Sequence, residues 1–184
     1  IDSLGKRTSM TVEPMTNYLV TRVMKDFNGG NTIIGGGFTN THRFLDGTGI
    51  NTLATTANTG GIDFNQYFDN KKWFLSLTTA FSNITGDRQA IEKLQRSSVH
   101  YFQRPDADYV ALDTNRTSLS GWGGNIQFGK TGGKWKFAVF GLWKSPGFDL
   151  NDVGYLRRAD DISVVFWSSY FISEPFSIFR NMRF

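Results

Sequence analysis

The sequence predicts an all-β fold, an antiparallel up-and-down meander. Three observations predict it. Segments whose apolar and polar residues alternate with a period of two recur along the 184 residues. They are joined in turn by very short links (Asn28–Asn31, Asp69–Lys71, Thr131–Gly133, Glu174–Phe176) and very long ones (His42–Asn58, Asp87–Arg116, Pro146–Asp160). The composition also pairs 15% aromatic residues with a polar mean hydropathy of −0.32. A soluble meander has no reason to sort its connectors by side. A membrane β-barrel has tight turns on its periplasmic rim, long loops on its outer rim, and a wall with lipid outside and water inside. The expectation is therefore a portion of a transmembrane outer-membrane β-barrel with long outer loops, one domain over residues 1–184, located in the bacterial outer membrane with its lipid as a partner.

The elements follow in order. Residues Ile1–Asn17 are polar and irregular and read as a loop. Strands are expected near 18–27 and 32–41, joined by Asn28-Gly29-Gly30-Asn31, which supplies the positive-φ residues of a hairpin turn. Gly35-Gly36-Gly37 is costly inside a strand but suits a bending wall or a close contact. After a long loop come strands near 59–68 and 72–85. In the second, Trp73, Leu75, Leu77, Thr79 and Phe81 share one face and Ser76, Thr78, Ala80 and Ser82 the other. Past the longest loop, 117–130 puts Trp122, Ile126 and Phe128 opposite Gly121, Gly123, Asn125 and Gln127. The strand at 134–145 puts Trp135, Phe137, Val139 and Trp143 on one face, with a Trp at each end as two interfacial aromatic girdles require. Strands near 161–173 and 177–184 complete the series. An alternation of this kind also fits a soluble β-sandwich or lipocalin-like barrel, in which the apolar face turns inward.

Other classes are excluded. No apolar run approaches the roughly 20 residues of a membrane-spanning helix. The net charge of +4 is spread without a Lys/Arg run or basic helix, which argues against nucleic acid. There is no cysteine, and His42 and His100 stand alone, so neither a zinc site nor any other metal or cofactor is expected. No Gly-x-Ser-x-Gly elbow or phosphate-binding glycine loop is present. Strand directions place both ends of the series on the outer rim, which implies a strand upstream and a continuation downstream. A closed eight-stranded barrel also fits the length.

The candidate binding residues lie in two loops. Arg104, Asp106, Asp108, Asp113 and Arg116 fall in one, and Asp149, Asp152, Arg157, Arg158, Asp160 and Asp161 in the next. Adjacent loops on one rim can converge, either as a polar plug that selects solutes or as ion pairs that pin loops to one another and to the wall. The spacing of Asp106, Asp108 and Asp113 lacks the glycine and terminal glutamate of a calcium loop. The loop aromatics Phe44, Tyr101, Phe102, Tyr109, Phe148 and Tyr155 suit sugar stacking or packing over a barrel mouth.

Four stretches carry a resemblance: Thr59-Gly-Gly-Ile-Asp-Phe-Asn65, Tyr101-Phe-Gln-Arg-Pro-Asp-Ala-Asp108, Asn115-Arg-Thr-Ser-Leu-Ser-Gly121, and Ser145-Pro-Gly-Phe-Asp-Leu-Asn-Asp152 with Arg157-Arg-Ala-Asp160. From about Thr32 to Phe184 the chain resembles the uncharacterised C-terminal β-barrel domain of large Bacteroidota outer-membrane proteins, which also carry a family-9-like carbohydrate-binding domain. The resemblance implies an internal portion of a barrel several hundred residues long. It implies no established activity and no glycan-binding residue. The functional expectation is a channel, or a scaffold in a surface glycan-handling or secretion assembly, with other surface proteins or glycan as partners. A soluble all-β carbohydrate-binding module and an outer-membrane enzyme with its site in the outer loops are the alternatives.

Overall fold

The computed structural model describes residues 11–175 and 177–184. The part of the N-terminal loop before residue 11, and residue 176 in the last short link, lie outside the described residues. Eight strands form one antiparallel sheet in chain order: β1 (Thr16–Phe27), β2 (Thr32–Arg43), β3 (Thr56–Phe68), β4 (Trp73–Thr85), β5 (Ser118–Lys130), β6 (Trp135–Lys144), β7 (Asp161–Ile172) and β8 (Met182–Arg183). Among the described residues each strand pairs only with its neighbours in sequence, and β1 does not meet β8, so the sheet is open. No helix among the described residues is long and apolar enough to cross a membrane, which says nothing of strands.

The tight links turn where left-handed backbone is cheap. Asn28, Gly29 and Gly30 have φ of 53°, 65° and 77°, and Asp69 and Asn70 have 47° and 52°. Two segments differ from expectation. The last strand is Met182–Arg183, paired only with Phe171 and Ile172, rather than a run over 177–184. The longest link contains a helix, α1 (Arg88–Arg96). Its residues are strong helix formers without Gly or Pro, and Ala90, Ile91, Leu94 and Gln95 make one packed stripe.

The register gives the sheet two unlike faces. The row Phe38–Gly60–Phe81–Trp122 runs across β2 to β5, and the row Phe64–Leu77–Ile126–Gly141–Val164 runs from β3 to β7 on the same side. This apolar face is uncovered: Ile62 is 64% exposed, Phe81 68% and Val164 73%. The residues between them form a polar face of Thr39, Thr59, Asp63, Thr78, Ser82, Asn125 and Gln127, interrupted by Gly35, Gly37, Gly61, Gly121 and Gly123.

The buried core lies on the polar face, at the end carrying the long links, where the loops fold back over the sheet. Ala57, Ile84 and Leu119 of the strands meet Ile91 of α1, Ala54 and Phe102 in one cluster, with Leu94, Val110 and Leu112 packed around it. Phe148, Leu156 and Ala159 form a second cluster, with Ala80, Val99 and Leu150 against it. Three of these strand residues, Ile84, Leu119 and Ala57, sit within one register row near the rim, so a short apolar belt on an otherwise polar face marks where the loops dock.

Candidate functional site

The loop seat is built on glycines. A Cβ at Gly121 would stand 2.1 Å from the backbone nitrogen of Phe148, and one at Gly147 would stand 2.3 Å from the carbonyl of Ser120. Loop and strand backbones therefore touch, and only glycine leaves room. The Phe148 ring lies beside Gly123, where a Cβ would meet it at 2.9 Å. The ring is 4% exposed, which makes it the anchor of the 145–160 loop. The next residue adds a polar pin: the backbone N–H of Asp149 donates to Ser82 Oγ at 2.9 Å.

Asp149 also ties the loop that carries His100 to its own loop. Its Oδ2 lies 2.9 Å from His100 Nε2, and its Oδ1 accepts from the N–H of Asn151 at 2.7 Å. His100 Nδ1 stands 2.8 Å from the Pro146 carbonyl. A carbonyl only accepts, so Nδ1–H donates to it, and Nε2 faces the carboxylate. Both side chains are fully enclosed. A general base needs a free nitrogen turned toward substrate. Here both ring nitrogens are engaged by protein, so the pair works as a joint between loops.

Further out, Asp160 accepts from Arg104 and, at 2.7 Å, from the Tyr109 hydroxyl. Burial alone would push the Asp160 carboxyl up. The hydrogen bonds from Tyr109 and Arg104, with the charges of Arg104 and Arg158, outweigh it and hold the carboxyl below its ordinary value. The Asp160 hydrogen bond is the main cause that raises both Arg104 and Tyr109. Asp152 pairs with Arg43 at the end of β2, and Asp161 with Lys144 at 3.4 Å. The fully buried Gln95 side chain clamps the backbone of Asp113, accepting from its N–H at 2.9 Å and donating to its carbonyl at 2.8 Å.

The two sequence clusters are thus divided. Arg104, Asp149, Asp152 and Asp160 enter contacts that join loop to loop or loop to strand, Asp113 is held by α1 within its own link, and Asp161 joins the end of β7 to the end of β6. Asp106, Asp108, Arg116, Arg157 and Arg158 make no side-chain hydrogen bond or ion pair among the described residues. Of the loop aromatics, Phe102 and Phe148 are packed, while Phe44, Tyr101, Tyr109 and Tyr155 are exposed. In the sequence His100 stands alone, Gln95 and Arg43 carry no signal, and Ser82 reads only as a strand-face residue. Their partners are 49, 18, 109 and 67 residues away, and no local spacing signals such pairs.

Two hollows open among the loops. One of about 260 Å³ is lined by Arg43, Lys93, Asp149 and Asp152. Another of about 410 Å³ is lined by His100, Tyr101, Arg104 and Arg158. Among the described residues no group of three His, Cys, Asp or Glu side chains is placed to hold a metal ion. The chemistry within reach is hydrogen bonding and ion pairing.

A family model described as "Domain of unknown function (DUF5916)" matches residues 2–184. No curated protein matches the chain, and no solved structure does.

Proposed function

Because the chain belongs to this family of unknown function, DUF5916, we propose its role from the geometry: a wall segment of an outer-membrane β-barrel, with lipid against the apolar face and the long loops over 86–117 and 145–160 folded into the lumen from the outer rim. The single observation that carries the reading is the uncovered apolar face, continuous from β2 to β7 on a sheet whose other face is polar. Apolar surface on this scale needs a partner, and alternation of apolar-out with polar-in is the signature of a barrel wall in lipid. Trp73 and Phe81 on β4, and Trp135 and Trp143 on β6, stand eight residues apart. At about 3.4 Å per residue that is about 27 Å of strand, and at a tilt near 40° about 20 Å of membrane depth, close to the roughly 25 Å apolar band of outer-membrane barrels. The strands β1 and β7 leave long open edges, which further strands of the same barrel would pair.

Within that setting the role we propose is a plugged barrel that acts as a scaffold, in place of an open channel. The loops are seated by backbone contact, a buried aromatic ring and several polar ties, and in a closed barrel loops so held on the polar face would obstruct the lumen on its outer side. The proposal includes the context that the resemblance implies, a large Bacteroidota outer-membrane protein handling surface glycans or secretion. No observation favours a soluble module, whose apolar side chains would be turned into a core. Fractionation tests the reading. The source protein is expected in the outer membrane and to leave it only with detergent. Recovery in a detergent-free soluble fraction would refute it.

A further inference from the structure

We propose that the apolar face carries a binding slot for a single lipid molecule at Gly60, near the rim that bears the long loops. The inference rests on the membrane reading above and adds to it a place and a chemistry. Across β2 to β5 one register row reads Phe38, Gly60, Phe81, Trp122. The glycine interrupts a row of aromatic rings. Its backbone does not need it, since Gly60 is absent from the positive-φ residues. Crowding does not need it either: a Cβ there would meet nothing closer than the Phe38 ring at 3.6 Å, an ordinary contact. Glycine inside a strand weakens it and often marks a place where something else approaches the backbone. What it leaves here is a hollow of about 460 Å³ bounded by Phe81 and Trp122.

The chemistry of the occupant follows from the next row toward the rim, which reads Asn40, Asn58, Asn83, Ser120. Asn40 Nδ2 donates to Asn58 Oδ1 at 2.7 Å, and Asn83 Nδ2 to Ser120 Oγ at 2.8 Å. Asn58 Nδ2 and Asn83 Oδ1 have no hydrogen-bond partner among the described residues, and both side chains border the hollow. An amide donor and an amide acceptor therefore stand free above an apolar slot. The row holds no charge, so it suits the ester carbonyls and hydroxyls beneath a lipid headgroup better than a phosphate. Aromatic rings with polar groups just above them are also how proteins meet the membrane–water interface. The occupant is an acyl lipid whose chain fills the gap at Gly60 and whose ester region bonds Asn58 and Asn83.

The test uses the protein in phosphatidylcholine vesicles whose acyl chains are brominated either near the ester (positions 6,7) or farther down (positions 11,12). Trp122 fluorescence is isolated by subtracting a Trp122→Phe variant. The shallow bromines are expected to quench Trp122 at least twofold more than the deep ones. In Gly60→Leu, which fills the slot, that quenching is expected to fall at least twofold, and one fewer lipid should be retained in native mass spectra after gentle delipidation. Asn58→Leu leaves the gap open and removes the amide, and it should lose the same retained lipid with β-sheet circular dichroism unchanged. Quenching and lipid retention unaltered in both variants would overturn the slot and leave the membrane reading standing. No quenching of Trp122 by either lipid would overturn both.

Discussion

Residues one position apart on the same strand meet opposite surroundings. Ser82 of β4 is buried and accepts a hydrogen bond from the backbone of Asp149, while Phe81 beside it is 68% exposed. The contrast repeats along β5, where Gly121 is pressed against the Phe148 backbone and Trp122 is 53% exposed. In a water-soluble sheet the apolar face carries the core. Here the core is on the polar face, supplied by loops, and the apolar face is bare. Two kinds of residue therefore stand apart: small ones that admit the loops, and large apolar ones that no part of the described chain covers.

The seat of the 145–160 loop is where that comparison breaks most sharply. Phe148 is 4% exposed and anchors one of the two buried clusters. Phe148→Ala removes most of a buried ring, for a cost of about 3–5 kcal/mol. Gly121→Ala attacks the same contact by overfilling it. Its Cβ would collide with backbone atoms, and relief requires the loop to lift, at about 3 kcal/mol. Both variants should expose the loop and leave the sheet intact. Hydrogen exchange at the amides of 145–160 is expected to rise at least tenfold in each, with β4 and β5 protected as before. If exchange in the loop is unchanged, the seat contributes nothing.

Ile126 and Gln127 are adjacent on β5, the first 42% exposed on the apolar face, the second on the polar face. In lipid, Ile126→Arg should destabilise by about 2–4 kcal/mol, as a charge near mid-depth does on a barrel's outer surface. Gln127→Arg should change stability by no more than about 0.5 kcal/mol, the usual scale for substitutions away from packed sites. Urea-dependent folding into vesicles measures both. Equal effects from the pair would mean that the two faces see the same solvent.

These predictions draw on parts of the molecule that differed in legibility. The two faces were readable because a strand has a period of two. Trp73 through Phe81, and Gly121 through Phe128, declare their sides one residue at a time. The tight turns were readable because Asn-Gly-Gly-Asn names the backbone it needs. The helix α1 was readable in principle: Arg88–Arg96 has no breaker and repeats apolar residues at Ala90, Ile91 and Leu94. Its position inside a long polar link hid it. Convergence of the two charged loops was readable as a possibility of adjacent loops on one rim; the contacts that seat them were not. Gly121 looks like any polar-face glycine until Phe148 arrives from 27 positions away, and His100 looks isolated until Asp149 closes on it. Of the charged loop residues, chemistry alone does not separate Asp160, which is paired, from Asp108, which is exposed; only the folded loops do.

The smallest expected effect separates the buried joint from the outer one. Asp160 ties Arg104 and Tyr109 at the solvent side of the folded loops, with both ionic side chains partly exposed. Because its carboxyl is held below the ordinary value, its contribution is complete above the unfolded-state value of about 3.9 and is lost as pH falls through the lower, folded-state value. Stability of the loops should therefore be flat in this respect from pH 7 to about pH 5 and decline only below about pH 4. Asp160→Asn should flatten that acid limb and cost at neutral pH about 1 kcal/mol at most, since partly exposed ion pairs are weak. Loop hydrogen exchange at pH 6, where the ionised carboxylate is present, gives the comparison with Phe148→Ala directly. If Asp160→Asn loosens the loop as much as loss of the ring does, then the outer ion pair, and not the dry contact with the sheet, holds the loop in place.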